Sequence, residues 1–391
     1  MTKFLCVGQA LCDLYLHPAG PEIFDGRQNH VLDSIPVMGG GDANNGSIDL
    51  AKIGNEVAIA TSLGRDIFGS QVLRLQQEAG VDTRFVTLRD DMPTAVHAIL
   101  LSSEATRGNA SLRGTAQALR REDIPDEAIA WADHVHIVSV LSHPLLDGEG
   151  VASVAREAKR LGKTTSMDLQ YDERLWKPEE TLSKIEAALP YIDVFLPSFD
   201  EATVVTGGLT DPLAMKEFFR KYDLKIFGCK LGAKGVYLTD FDQDVFLPPL
   251  YRGEPVDTLG CGDAFCSGFI SAYKRGFSLE GCGLIGSAAS AKICAVVGCN
   301  AGRACPRFRL RRKIIGMKKD FDVIALGGAA FDIPVSPVPR DIMAIGGVNA
   351  DIRMATGGDA LNGAISLSSL GMRTALLTYT GTDEFSDAIV E

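Results

Sequence analysis

The stretch that decides the fold of this chain is DTLGCGDAFCSGF, residues 257–269. Gly260 and Gly262 predict a tight turn around Cys261, after which Asp263 opens a helix that continues past Phe269. Backbone N–H groups in such a turn, with the helix N-terminus behind them, form a site for an anion. Transfer of a phosphoryl group to an alcohol needs a site that binds the anionic phosphoryl group and a base that takes the proton of the alcohol. The stretch offers both, so it predicts a phosphoryl-transfer site.

The overall composition is that of an ordinary globular protein of 391 residues, 46% of them hydrophobic. A net charge of −11 argues against a nucleic-acid partner. The nine cysteines are odd in number and contain no CxxC pair, which indicates free thiols in a reducing compartment. The N-terminus leads directly into a strand-like run, and no apolar run is long enough to cross a bilayer. We therefore expect a cytoplasmic protein with no membrane partner.

Strand-like and helix-like segments alternate along most of the chain. Strands are expected at 4–7, 57–62, 134–140, 164–168, 193–196, 225–230, 235–239 and 245–250. Helices are expected at 42–54, 68–80, 148–161, 179–188, 199–206, 212–221, 263–275 and 279–297. This order predicts an α/β fold with a mostly parallel sheet.

Two parts of the chain depart from this rhythm and predict a small separate sheet, a lid from about 12–38 and 93–114. Its strand-like pieces are 12–16, 31–37, 94–102 and 110–113. Gly39-Gly40-Gly41 predicts a turn, and Asp42 is expected to cap the helix that follows.

A partial internal repeat occupies the end of the chain. Residues 303–319 contain eight Lys or Arg and no acid, which indicates a basic linker. Beyond it, VIALG at 323–327 echoes FLCVG at 4–8, and GGDALNG at 357–363 echoes GGDANNG at 40–46. We expect one domain over 1–302, the linker, and a truncated second copy of its N-terminal part over 320–391. That copy lacks a counterpart of Asp263, so we expect a marginal appendage without chemistry of its own.

Two of these motifs resemble the signatures of the ribokinase-like (PfkB) carbohydrate kinases. They are DTLGCGDAF at 257–265 and the pair Gly40-Gly41 with Asn45 after it, and the resemblance covers about residues 4 to 300. It implies a three-layer α/β/α sandwich with a mostly parallel central sheet and a small β-sheet lid. It also implies a small-molecule sugar substrate, ATP, Mg²⁺ and in many members K⁺, and a homodimer formed through the lid.

The resemblance also implies a role for each matching residue. Asp263 would be the general base, with an anion hole formed by Gly260, Cys261 and Gly262. The substrate would contact Asp13, Gly40, Gly41, Asn45, Asp168 and Gln170, and the nucleotide Lys230, Gly232, Gly235, Thr258 and Ser287. Glu201 would help hold Mg²⁺ through water, and a monovalent cation would lie at Asp257, Leu259 and Gly298.

Three positions depart from the family pattern. Ser198 replaces the Asn of an Asn-x-x-Glu motif, which weakens one contact to phosphate or metal. Asp172 stands where many sugar-acid kinases carry Arg, which favours a neutral sugar or a nucleoside. Cys261 replaces Ala in the anion hole, which makes the site sensitive to oxidation.

Each central residue also has a purely structural interpretation. Asp263 could be only a helix cap, Asp13 a strand-end residue, Asn45 a first-turn residue and Lys230 a solvated lysine. Taken together, the motifs predict ATP-dependent phosphorylation of a primary hydroxyl of a small neutral sugar. A nucleoside kinase and a non-catalytic sugar-binding homologue are the alternatives. A nicotinamide-dependent dehydrogenase is excluded because no GxGxxG follows Val7-Gly8.

Overall fold

The structure is a computed structural model that describes residues 1–19, 32, 35–102, 107–251, 253–295, 323–326, 330–332, 335–336, 347–353, 355–369, 372 and 374–377. The chain divides into two compact units. The first comprises Met1–Arg107 and Arg113–Ala301, and the second comprises Gly108–Leu112 and Gly302–Glu391. Our division into 1–302, 303–319 and 320–391 stays a prediction.

The strands up to residue 250 are β1 (Lys3–Val7), β2 (Leu11–Leu16), β3 (Val37–Gly40), β4 (Glu56–Gly64), β5 (Val86–Arg89), β6 (Val96–Leu101), β7 (Arg107–Leu112), β8 (His134–Val140), β9 (Thr164–Leu169), β10 (Val194–Phe195), β11 (Ile226–Lys230), β12 (Val236–Thr239) and β13 (Asp244–Leu247). The α-helices of the same part are α1 (Asp42–Lys52), α2 (Ile67–Glu78), α3 (Asp126–Trp131), α4 (Glu149–Arg160), α5 (Pro178–Ile185), α6 (Phe199–Val205), α7 (Pro212–Phe219), α8 (Cys261–Lys274) and α9 (Leu279–Cys294).

Nine of these strands form the central sheet of the first unit, in the order β13-β12-β11-β10-β9-β8-β1-β4-β5. The pairs from β11 to β5 are parallel, whereas β11–β12 and β12–β13 are antiparallel. Strands β1 and β8 are buried almost end to end because helices cover both faces of the sheet. This mostly parallel sheet confirms the predicted α/β fold class.

The two faces of the sheet are covered by different helices. Leu5 and Val7 point into a core that includes buried residues of α3, α4, α5, α6 and α7. Phe4 points to the opposite face, where it packs on His134. On that side the Ser267 hydroxyl of α8 donates to the Gly46 carbonyl of α1 at 3.3 Å. Helices α1 and α8 therefore pack against each other on this face of the sheet.

A small sheet of β3, β2 and β6 projects from the first unit, as predicted. Strand β2 pairs antiparallel with β3, so that Asp13 faces Met38, and parallel with β6, so that Asp13 faces His97. The turn predicted at 39–41 is wrong for its first two residues, since Gly40 pairs with Leu11 inside β3. Gly41, at φ 87°, is the N-cap of α1, and Asp42 is the first helical residue. The strand predicted at 31–37 is wrong at residues 32, 35 and 36, which belong to no strand, and right at Val37, where β3 begins. Residues 31, 33 and 34 lie outside the described residues.

Short elements were the ones that the sequence did not predict. Strand β5 and helix α3 contain four and six residues, too few to show a period of their own. No α-helix within the described ranges is long and apolar enough to cross a membrane.

The second unit contains β14 (Val323–Leu326), β15 (Ala330–Asp332), β16 (Val335–Ser336), β17 (Gly347–Asn349), β18 (Asp351–Ile352), β19 (Ala355–Gly357), α10 (Asp359–Ser369) and β20 (Thr374–Leu377). Val323 pairs with Thr374 as Phe4 pairs with Val57, and Asp332 pairs with Ala355 as Asp13 pairs with Met38. The described strands therefore keep the register of the first unit at the offsets of the repeat, 323 − 4 = 319 and 374 − 57 = 317.

One helix of the second unit differs from its counterpart in burial. Ile365 of α10 is 49% exposed, whereas Ile48, at the same place in α1, is 3% exposed. In the first unit α1 packs against α8. The described residues of the second unit include no equivalent of α8, so its helix keeps an apolar residue in solvent.

Candidate active site

One cavity of about 590 Å³ collects the residues that the sequence singled out. Gly40 and Asp257 are not among its lining residues, and Gly298 lies outside the described residues. The lining includes Asp13, Gly41, Asn45, Asp168, Gln170, Glu201, Lys230, Gly232, Gly235, Thr258, Leu259, Gly260, Cys261, Gly262, Asp263 and Ser287. These residues come from seven separate stretches of the chain, 13, 41–45, 168–170, 201, 230–235, 258–263 and 287, and all of them lie in the first unit.

The glycine-rich turn starts α8 two residues earlier than predicted. Gly260 is the N-cap at φ 79°, a left-handed conformation that favours glycine, and the helix begins at Cys261. Asp263 is therefore the third helical residue and not the one that opens the helix. The first N–H groups of a helix have no acceptor within it, and the helix dipole adds partial positive charge at this end. The turn can thus bind an anion, as expected.

The Asp263 carboxylate is held by a residue from the other end of the sequence. Asn45 Nδ2 donates to Asp263 Oδ2 at 2.8 Å. Burial raises the pKa of Asp263 to about 6, and the negative charge of Asp168 adds to the increase. The hydrogen bond from Asn45 and the positive charge of Lys230 oppose it. A carboxylate with this pKa is ionised at neutral pH and is a stronger base than an exposed aspartate.

Lys230, the last residue of β11, lies close to the glycine-rich turn. Its ammonium donates a hydrogen bond to Asp168 Oδ2 at the end of β9. Burial disfavours the charged form of Lys230, but Asp168, Cys266 and Glu201 together outweigh burial and raise the pKa of the ammonium. A Cβ atom on Gly262 would lie 3.5 Å from Lys230 Nζ. The site therefore holds a fixed positive charge close to the anion-binding turn.

Cys266 completes the surroundings of Asp168, and no sequence motif indicated this role. Its Sγ lies 3.3 Å from Asp168 Oδ2 and 3.6 Å from Lys230 Nζ. Asp168 Oδ1 accepts a hydrogen bond from the Leu169 amide at 2.9 Å. Both carboxylate oxygens of Asp168 thus have protein partners, which suits a residue that positions Lys230.

Two further carboxylates make the cavity strongly acidic. Asp42 accepts a hydrogen bond from the Ser139 hydroxyl at 2.9 Å, and burial, then Asp263, raise its pKa. Burial and the charge of Asp168 raise the pKa of Glu201, which caps its own helix with Ser198. Carboxylates that raise one another's pKa attract a cation. The sequence predicts Asp42 only as a helix cap. Its place directly after Gly40-Gly41 is the signal that could have indicated a residue of the cavity.

The Asp13 side chain, on β2 of the small sheet, lies against Gly40 of β3. A Cβ on Gly40 would be 2.1 Å from Asp13 Oδ2, so only glycine lets the carboxylate lie there. His97 Nδ1 is 3.6 Å from Asp13 Oδ1. Both side chains line the cavity.

Two other predicted residues have roles in local structure. Asp257 Oδ1 accepts the Leu259 N–H at 2.9 Å, which shapes the chain before the turn. Asp172 forms ion pairs with Arg113 and Arg174. Its charge is therefore neutralised, which weakens the argument that Asp172 repels a negatively charged substrate.

The sequence profile described as pfkB family carbohydrate kinase matches residues 1–304. The chain belongs to this family. It is therefore a sugar or nucleoside kinase, and ATP and Mg²⁺ are expected for a pfkB kinase.

Two curated relatives differ in the substrates that their names state. The chain is 27% identical over 250 residues to a 2-dehydro-3-deoxygluconokinase of Bacillus subtilis (strain 168), covering 61% of this chain and 75% of the relative. It is 24% identical over 290 residues to a nucleoside kinase of Methanothermobacter thermautotrophicus, covering 74% and 88%. The relatives therefore show the kinase class and leave the acceptor undecided.

Solved structures show the same fold. Ribokinase from Thermotoga maritima superposes with a TM-score of 0.63 at 21% identity, covering 77% of this chain and 95% of its own. This agreement confirms the ribokinase-like architecture predicted from the two motifs.

Proposed function

We propose that this protein is an ATP-dependent kinase that phosphorylates a primary hydroxyl of a small neutral sugar. One observation carries the proposal: Asp263 lies in the first turn of α8, ionised at neutral pH and oriented by Asn45. A base in this position lies next to the amides that would receive the transferring phosphate. Geometry and pKa together favour catalysis over a helix cap alone.

In the proposed reaction Asp263 accepts the proton of the sugar hydroxyl as its oxygen attacks the γ-phosphate of ATP. The amides of residues 260–263 donate to the equatorial oxygens of the transferring group, where negative charge is spread. The Lys230 ammonium lies close enough to this turn to stabilise the same charge. Because Asp168 already fixes that ammonium, little reorganisation is needed during transfer.

The substrate would occupy the end of the cavity beside the small sheet. The two oxygens of the Asp13 carboxylate suit adjacent sugar hydroxyls. Gly40 leaves room for that carboxylate, and Gly41 lines the cavity beside it. Asn45 and Gln170 would supply further hydrogen bonds, and Asp168 would act mainly through Lys230. The nucleotide would lie along Gly232, Gly235, Thr258 and Ser287.

The acidic lining fits a cation that accompanies the nucleotide. In the described ranges no three His, Cys, Asp or Glu side chains converge enough to hold a metal alone. Mg²⁺ usually takes waters and substrate phosphates as ligands, so Glu201 would contact it through water. When bound, it would neutralise phosphate charge. A K⁺ site at Asp257, Leu259 and Gly298 and a dimer through the small sheet stay proposals; activity with and without K⁺, and sedimentation, test them.

A coupled assay of ADP release over a substrate panel tests the proposed function. The panel contains neutral pentoses and hexoses, 2-dehydro-3-deoxygluconate, ribose 1-phosphate and nucleosides. We expect the highest kcat/KM for a neutral sugar. A preference for the sugar acid or the phosphate would contradict the proposed neutral acceptor. A preference for nucleosides would establish the alternative kinase, and no acceptor-dependent ADP release would favour a non-catalytic homologue.

A further inference from the structure

Two cysteines meet in the wall of the cavity next to the anion-binding turn. Cys261 Sγ and Cys294 Sγ are 3.2 Å apart, closer than two sulfur atoms that merely touch. Both residues are half-buried and both line the cavity, so dissolved reagents can reach them. Both are free thiols in the structure.

The spacing of these thiols is set by two rigid helices. Cys261 is the first residue of α8 and Cys294 the last of α9. The helices approach so closely that a Cβ on Gly268 would lie 2.9 Å from the Ile285 carbonyl oxygen, and one on Gly286 would lie 2.8 Å from that of Phe265. In addition, the Cys294 carbonyl accepts a hydrogen bond from the Val256 amide at 2.8 Å, just before the turn. The pair is thus held together by contacts that neither thiol makes itself.

We propose that Cys261 and Cys294 form a reversible disulfide that switches off the site under oxidation by a peroxide. A disulfide needs the sulfur atoms at about 2.05 Å, so each has to move by roughly 0.6 Å. Rotation about the side-chain bonds can supply this movement. The other cysteines described in the first unit are Cys6, Cys12, Cys229, Cys266 and Cys282, and all five are buried.

The chemistry needs only the two thiols and the peroxide. The peroxide transfers one oxygen to a thiol sulfur, giving a sulfenic acid and water when the oxidant is hydrogen peroxide. The second sulfur attacks the sulfenic sulfur, the S–S bond forms, and the hydroxyl leaves with the second proton as water. Two thiols and one hydrogen peroxide thus give one disulfide and two waters. A dithiol reductant reverses the change by exchange.

Formation of the bond would tie the anion-binding turn to the end of α9. Cys261 lies between Gly260 and Gly262, so tension on its side chain moves the amides proposed to hold the transferring phosphate. Burial, together with the neighbouring Cys294 thiol, raises the pKa of Cys261, so oxidation should be faster at alkaline pH. The loss of turnover rests on the proposed function, but the bond itself does not.

The test uses the whole protein and follows bond and activity separately. The reduced protein is treated with hydrogen peroxide, quenched by alkylation, digested and mapped by mass spectrometry, while ADP release is assayed on the same samples. We expect a linked pair of peptides carrying Cys261 and Cys294, a loss of turnover that follows its yield, and recovery of both with dithiothreitol. Saturating Mg·ATP should slow formation of the linked pair at least severalfold, because its phosphates would lie against the turn that contains Cys261.

A matched pair of variants completes the test. Cys294→Ser should retain the turnover of the reduced parent and lose its sensitivity to peroxide. Cys282→Ser, on the same helix but with a buried side chain, should remain as sensitive as the parent. If a variant does not fold, peptide mapping and the activity assay of the parent protein alone decide whether the disulfide forms and whether it stops turnover. The proposal is overturned if turnover is lost without the linked pair, or if the pair forms and turnover is unchanged. A reduced protein without ADP release would instead count against the proposed function.

Discussion

Asn45 Nδ2 donates a hydrogen bond to Asp263 Oδ2 at 2.8 Å across 218 positions of sequence. The bond connects α1, which follows the first glycine motif, with α8, which follows the second. Removing it with Asn45→Ala should raise the pKa of Asp263 and leave its carboxylate poorly oriented. We expect kcat/KM to fall by about one to two orders of magnitude and its acidic limb to move to higher pH.

Asn55→Ala is the matched control for this variant. Asn55 also lies near α1 and its Nδ2 donates to Ser271 of α8 at 3.1 Å, but it does not line the cavity. It should leave the pH profile unchanged. An Asn45→Ala profile that coincides with that of the parent would show that the bond has no part in setting the base.

The raised pKa of Asp263 also predicts how stability depends on pH. The folded-state pKa of about 6 lies above the ordinary value of 3.8, so the folded protein binds this proton more tightly than the unfolded chain does. Ionisation therefore costs stability as pH rises from 4 through 6. Asp263→Asn should raise the free energy of unfolding by roughly 1–3 kcal/mol at pH 8 and by much less at pH 4. Urea denaturation at both pH values measures this, and a variant less stable than the parent at pH 8 would contradict it.

Lys230 is expected to act on the transferring phosphate. Lys230→Met should lower kcat by about two orders of magnitude, because it removes a fixed charge beside the turn. Lys234→Met is the control, since Lys234 belongs to the same loop but is exposed. Steady-state kinetics with saturating sugar and ATP measure both. Equal effects of the two variants would show that Lys230 contributes only as part of a positively charged loop.

The second unit is expected to be dispensable for activity. Every described residue of the cavity lies in the first unit. Limited proteolysis should cut within 303–320 and release a core that retains its turnover. Intact mass of the fragments and the coupled assay follow the two properties. This expectation would be contradicted if the second unit resists the protease as well as the first unit does, or if the released core loses its activity.

The sequence predicted the architecture because its signals are local. The glycine motifs at 40–41 and 260–262 and the alternation of strands and helices depend on residues close together in the chain. These signals located α1 and α8 to within two residues. The structure brings the predicted site residues together in one cavity, apart from Gly40 and Asp257; Gly298 lies outside the described residues.

What the sequence did not predict depends on contacts between distant segments. The pairing of Lys230 with Asp168, the approach of Cys266 to both, and the contact of Cys261 with Cys294 join residues 33 to 98 positions apart. Asp172 shows the same limit, since only the fold reveals that Arg113 neutralises it. The charge of a single residue does not predict which substrate a site binds until the ion-pair partners of that residue are known.

The most direct test of Asp263 as the general base combines the kinetics of Asp263→Asn with calorimetric titration of this variant with the best sugar of the panel. Asn keeps the size of the side chain and can still accept the hydrogen bond from Asn45, but it cannot take a proton. If Asp263 is the base, the dissociation constant of the sugar changes little, while kcat falls by about two orders of magnitude or more. A variant that retains near-normal turnover would refute Asp263 as the base and, with it, the proposed mechanism.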